Sequence, residues 1–269
     1  MPNPRWRSGS RATCPRRLGA VHLAAGLSLL ALQLTACDSA AQPSAADGGR
    51  GTDAAMRFDA GNDGGLEAGA ATDSAPPSPD REILFDGSSL EGWQHASGQL
   101  ARWRIVDGAL EVVPGSGDLE TKVEHDDIHL HVEFNVPATD PSAMEQDRGN
   151  SGVFLQSRYE VQVLDSFGRT LADRNDAGAI YGVRDADSNQ AQPPDTWQTY
   201  EIRFIAARWE GGAKVTPARI SVSWNGTPVQ RDVEVPSSIG DPEAPTPGPL
   251  RLQDHGHRVR YRNLWLERL

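Results

Sequence analysis

The chain has 269 residues, of which 37 are acidic and 26 basic, giving a formal charge of −11, and it contains two cysteines. Five of the basic residues and none of the acidic ones precede Cys37, so the remainder of the chain reaches −16. An acidic surface repels phosphate, and there is no Lys/Arg stripe or aromatic RNA-binding signature, so nucleic acid is excluded as a partner.

Arg16 and Arg17 precede an apolar run from Leu23 to Leu34 that closes on Leu34-Thr35-Ala36-Cys37, the layout of a targeting segment over residues 1–37. Gly26 and Gln33 interrupt the run, which falls short of the roughly 20 apolar residues of a membrane span. The closing pattern resembles a bacterial lipobox. That implies lipid on Cys37 and an exported protein, anchored to a membrane on its periplasmic or cell-surface side. Cys14 would leave with the signal, so no disulfide is expected. Residues 38–80 are Ala, Gly, Asp, Ser and Pro with few large apolar side chains, and they read as a disordered tether.

From Arg81 to Leu269 the chain reads as short alternating runs broken by turn residues, which predicts one all-β sandwich domain. Trp103–Val106 and Ala109–Val113 flank Asp107-Gly108 and form a hairpin pattern. Leu130, Val132, Phe134 and Val136 alternate with His129, His131, Glu133 and Asn135. Asn150-Ser151-Gly152-Val153-Phe154-Leu155 leads into Tyr159–Asp165, where alternation puts Glu160 and Gln162 together on one face. Tyr200, Ile202 and Phe204 mark another strand. Ile220, Val222 and Trp224 run into Asn225-Gly226, and Val229 begins the return. Leu250–Gln253 and Val259–Arg262 close the set around His255-Gly256-His257. Residues 139–149 and 237–249 are expected to loop outside the sheets, and 167–191 to cover a mouth.

Acid and amide side by side on a sheet suggest a sugar site. Each candidate also has a plainer reading. Glu133 can face solvent, His255 can be a loop residue, Tyr181 a packing anchor, and Asp165 and Asn150 turn residues. His129 and His131 point the same way along a strand and could supply two legs of a divalent metal site with Glu133 or His125. Asp126 or Asp127 could hold a calcium ion. Trp93, Trp103, Trp197, Trp224 and Trp265 read mostly as core, with one free to stack on a sugar ring.

In order, Leu84-Phe85-Asp86-Gly87, Leu90-Glu91-Gly92-Trp93, Glu133-Phe134, Asn150-Ser151-Gly152, the Tyr159–Asp165 run, Gly178-Ala179-Ile180-Tyr181-Gly182, Trp197, Asn225-Gly226, Leu252-Gln253-Asp254-His255-Gly256 and Arg262-Asn263-Leu264 resemble the 3-keto-disaccharide hydrolase domain family. Its members are described as 3-keto-glucoside lyases and hydratases. The resemblance spans essentially all of 81–269. It implies a concanavalin A-like jelly roll of two curved antiparallel sheets with a carbohydrate ligand on the concave face. Asn135 and Gln198 depart from the Arg and Asn common in the family, and Glu210–Lys214 is an unusual insert.

The implied chemistry is net hydrolysis of a 3-keto glycoside by elimination, then hydration. A C3 ketone acidifies the C2 hydrogen, so one general base starts expulsion of the C1 substituent. The residues offered for this are Glu160 or His255 as base, Glu133 as the alternative carboxylate, and Tyr181 as donor. Gln162, Asn150, Asp165 and Gln253 would orient hydroxyls. The same sandwich also serves non-catalytic carbohydrate-binding modules and surface interaction domains.

Overall fold

The computed structural model describes residues 81–171 and 174–269. The targeting segment with Cys37 and the tether of 38–80 lie outside the described residues. Within them the chain forms strands β1 (Arg81–Phe85), β2 (Trp93–His95), β3 (Arg104–Val106), β4 (Ala109–Glu111), β5 (Leu119–His125), β6 (Ile128–Asn135), β7 (Ser151–Leu155), β8 (Tyr159–Val163), β9 (Trp197–Ile205), β10 (Arg208–Glu210), β11 (Ala213–Thr216), β12 (Ala218–Trp224), β13 (Thr227–Val235), β14 (Gly248–Leu252) and β15 (Arg260–Arg268). One turn of 3₁₀ helix, Glu145–Asp147, interrupts the loop before β7.

All named pairings are antiparallel and build two large sheets, a jelly-roll sandwich. One runs β13-β12-β9-β6-β15-β4-β3, with β1 also pairing β15. The other runs β2-β5-β14-β7-β8, and β10-β11 is a separate hairpin. The alternation in each strand decides its faces. Leu130, Val132 and Phe134 of β6 meet Tyr200, Ile202 and Phe204 of β9 inside, against Val153, Leu155, Val161 and Leu252 from the smaller sheet. Both predicted tight turns are present. Asp107-Gly108 and Asn225-Gly226 take positive φ at both central positions, as the twist of a two-residue hairpin requires.

Four strands, β5, β10, β11 and β14, depart from the pattern read in the sequence. β5 (LETKVEH) turns Thr121 and His125 inward and buries both, so its apolar period is broken by polar residues in core positions. The Glu210–Lys214 insert closes hairpin β10–β11, and β14 begins at Gly248, inside the stretch expected to loop.

Two tyrosines of the larger sheet reach across the core to the smaller one. Tyr261 Oη donates to Ser151 Oγ at 2.6 Å, and Ser151 Oγ donates to the Gln253 carbonyl at 2.6 Å. Tyr200 Oη donates to the Gln162 carbonyl at 2.8 Å. Buried hydroxyls need partners, so these bonds fix the spacing of β7, β8 and β14 against the rest of the sandwich. Tyr261→Phe leaves Ser151 without its donor. It should cost about 1–2 kcal/mol in urea unfolding, and an unchanged midpoint would contradict the strut role.

Candidate active site

On the outer face of the smaller sheet, a cavity of about 240 Å³ is walled by Asn150, Phe154, Glu160, Gln162 and Gln253 together with Gln146, Tyr181, Ile239 and His255 from loops. It gathers six of the residues singled out in the sequence: Glu160, Gln162, Asn150, Tyr181, Gln253 and His255.

Glu160 is the one carboxylic acid among the residues that wall it. Its neighbours Tyr159 and Val161 pack into the core, so its own side chain must point outward, where it is nonetheless only 4% exposed. The carboxyl group rests directly over Gly152. A Cβ at that position would fall 2.1 Å from Glu160 Oε1. No side chain or backbone group among the described residues hydrogen-bonds this carboxyl. Burial, and secondarily the charge of Asp118, pushes it up to about 8, so it holds its proton at neutral pH.

The polar end of the cavity is organised around Gln146. Its Oε1 accepts from Asn150 Nδ2 at 2.8 Å and from Gln162 Nε2 at 2.9 Å, while its own Nε2 donates to the Asn175 carbonyl at 3.0 Å. His257 fixes the approach, accepting from the Asn150 amide at Nδ1 (3.2 Å) and facing the Asp147 carbonyl with Nε2 (3.1 Å). The side-chain oxygens of Asn150 and Gln253 are buried with no partner. Buried acceptors of this kind are uncommon in a finished core and await a donor.

Residues 174–184 contribute Tyr181 to the cavity. Tyr181 N donates to the Glu160 carbonyl at 3.1 Å, Gln162 N donates to the Ala179 carbonyl at 3.0 Å, and Ile180 bridges Val161, so the stretch expected to cover a mouth also closes the open edge of β8. His255 stands exposed at the rim. Its turn is held by Asp254, which accepts from Gly117 N and Gly256 N at 2.9 Å and donates its own amide to Asp118 Oδ1 at 2.8 Å.

Glu133 is not in this cavity. It lies on the outer face of the other sheet, because Val132 and Phe134 beside it point into the core. There Arg262 Nε donates to it at 2.6 Å and Asn263 Nδ2 at 2.9 Å. Burial opposes charge on His131, yet its contacts with Glu133 and Glu201 push it up to about 9. Glu133 and Glu201 fall to about 2, held down by their histidine and other donor contacts.

The same network engages the two histidines offered as metal ligands. His129 and His131 point the same way, yet both are engaged by Glu201, at 2.7 and 2.6 Å, and by the Trp265 ring. Among the described residues, no three His, Cys, Asp or Glu side chains converge as a metal set. His125 is a core residue, pushed down to about 3 by burial, and Asp127 is occupied by Arg208 and the Ala206 amide.

Asp165 does not line the cavity either. It accepts from Phe167 N at 3.0 Å and pairs with Arg148 at 3.1 Å, so it serves the turn. Of the tryptophans, none lines the cavity. The departures at Asn135 and Gln198 also fall outside it, and Gln198 Oε1 accepts from Trp224 Nε1 at 3.0 Å in the core. Sequence reasoning missed Gln146, Phe154 and Ile239. Only Phe154 carried a signal, as the cross-strand partner of Glu160 in a run whose alternation was already visible.

The family profile of the 3-keto-alpha-glucoside-1,2-lyase-like domain matches residues 80–267. The chain belongs to this family. A crystal structure of a candidate glycosyl hydrolase from Parabacteroides distasonis ATCC 8503 is 33% identical, with a TM-score of 0.66, covering 71% of this chain and 84% of that one. A second candidate glycosyl hydrolase from the same organism, 23% identical with a TM-score of 0.50, covers 70% and 99% and shares the fold. No curated protein matches the chain. Membership in the lyase-like family, with the 33% identical relative, makes this a carbohydrate-acting enzyme of the glycoside hydrolase or lyase type.

Two substitutions separate the faces. The Cβ added by Gly152→Ala has as its nearest neighbours Glu160 Oε1, Cδ and Cγ, at 2.1, 2.8 and 3.0 Å, so the carboxyl must move, and the domain should still fold but lose sugar turnover by tenfold or more. Glu133→Gln should lower stability and leave turnover within about threefold. The reverse pattern, measured by calorimetry and product formation, would put the chemistry on the other sheet.

Proposed function

We propose that the cavity binds a 3-keto glucoside and cleaves its glycosidic bond by elimination followed by hydration. The observation that carries this reading is a neutral carboxyl group, without a partner, in a cavity whose remaining buried acceptors match sugar hydroxyls. Asn150 Oδ1 and Gln253 Oε1 would each gain the donor they lack from a ring hydroxyl. Tyr181, which lines the cavity, would donate to the C3 oxygen and stabilise the enolate as it forms.

His255, which lines the cavity at its rim, takes the C2 proton as general base. Glu160 gives its proton to the C1-linked oxygen as that bond breaks, leaving a C1–C2 double bond conjugated with the ketone. In the second half, Glu160 as carboxylate accepts a proton from water as the hydroxyl adds at C1. C2 recovers its proton from His255. One water is consumed, and both residues return to their starting states. The buried carboxylate is unstable in its dry surroundings, which favours its reprotonation. The lipid anchor expected at Cys37 belongs to the same proposal and would put this chemistry outside the cytoplasm.

On a 3-keto glucoside, kcat/KM should fall on the alkaline side through a pKa near 8. A carboxyl that must be protonated to act is lost as the pH rises through its folded-state value. Glu160→Gln should lower kcat by about 10² to 10⁴ with little change in KM, and His255→Ala should lower kcat by a comparable factor. Wild-type protein that binds the keto sugar but never turns it over would leave a carbohydrate-binding module.

A further inference from the structure

The cavity is not uniform along β8. On the Gln162 side of Glu160 it is amide-lined, through Asn150 and Gln146. Directly across from Glu160 on β7 stands Phe154, and toward Arg158 the wall is Ile239, whose amide donates to the Arg158 carbonyl, so this part of the cavity is apolar. Glu160 stands where the two halves meet.

Ile239 is 46% exposed, and an isoleucine so placed gains nothing for the core. Its loop is nevertheless tied down at several points. Ile239 N and Gly240 N both donate to the Arg158 carbonyl at 3.0 Å, and Asp241 N donates to the Ser157 carbonyl at 2.9 Å. Arg251 Nη2 donates to Asp241 Oδ1 at 2.7 Å. Further along, Glu243 accepts from Tyr159 Oη at 2.7 Å and from Lys214 Nζ at 2.5 Å, and Lys214 also donates to the Pro236 carbonyl at 2.5 Å. Lys214 lies on hairpin β10–β11, the insert that distinguishes this chain within its resemblance.

From this polarity and this bracing we infer that Phe154 and Ile239 form a leaving-group subsite for an apolar aglycone, with Lys214 of the inserted hairpin as a positioning residue that holds Ile239 over it. The inference rests on the reaction assigned above. With the keto sugar on the amide side and its glycosidic oxygen at Glu160, the departing group must extend over the apolar side. The side chains of Phe154 and Ile239 offer no hydrogen bond to the hydroxyls of a sugar leaving group, whereas an alkyl or aryl group laid on them removes apolar surface from water.

The test compares ethyl and hexyl 3-keto glucosides of one anomer, whose leaving alcohols have similar acidity, in both calorimetric affinity and kcat/KM. The hexyl compound should bind and react roughly tenfold better or more, from a few buried methylenes. Ile239→Ser should collapse that ratio. Lys214→Met should do so too, and Lys214→Arg should restore it, a pattern that loss of fold stability alone would not produce. Equal values for the two glucosides in wild type, or variants that lower both in parallel, would overturn the subsite. A hexyl preference in affinity that Ile239→Ser abolishes, without turnover of either compound, would support the subsite and overturn the reaction.

Discussion

Glu160 occupies space that exists because residue 152 carries no side chain. In that space the carboxyl has lost water and gained no donor, so its ionised form is penalised far more than its neutral form. Removing a Cβ and withholding a hydrogen bond are both small changes in composition, yet together they decide the protonation state of the group at neutral pH. The sign is unfavourable for stability. The native state keeps a proton that the unfolded chain releases above its ordinary range near 4.5, so stability drains away as the pH rises from there to about 8 and then levels off. A fold that retains such a group accepts that loss in exchange for a poised acid.

The rest of the sandwich keeps this arrangement from relaxing. Tyr261 and Tyr200 hold β7 and β8 from within the core, so the strands cannot slide to give the carboxyl a partner. The hairpin joining them is clamped as well. Gln156 and Ser157 sit at positive φ, uncommon for such residues, and are held there by bonds to the His125 carbonyl and to Glu120. Strain just before Glu160 and an unpartnered acid at Glu160 lie on the same five-residue strand and its turn, where preorganised chemistry is expected to concentrate.

Much of this was legible in the sequence, and the exceptions share a cause. Period-two alternation exposed β6, β9, β12 and the β7–β8 pair, and it correctly put Glu160 beside Gln162. Alternation says which residues share a strand face but not which sheet that strand joins, so Glu133 was grouped with Glu160 although it lies on the opposite outer face. The sheet order β13-β12-β9-β6-β15 depends on pairings between residues far apart in the chain, and no local pattern carries that information. β5 was hidden for a different reason, since polar Thr121 and His125 fill its inward positions. Gln146 and Ile239 come from loops, where the hydrogen bonds that place them are made to distant backbone groups.

The histidine and carboxylate network on the larger sheet shows why residue type alone misleads. His129, His131, Glu133 and Glu201 have the composition of a metal or catalytic site, yet they satisfy one another and pack against Trp265. Polar groups that complete each other's bonding have nothing left for a ligand, whereas those around Glu160 do. The most direct measurement is therefore titration of the Glu160 carboxyl itself, by infrared difference spectra of wild type against Glu160→Gln across pH 3 to 10. The account predicts a protonated carboxyl band that disappears near pH 8. A band that is gone by pH 5 would show an ordinary solvated acid and contradict it.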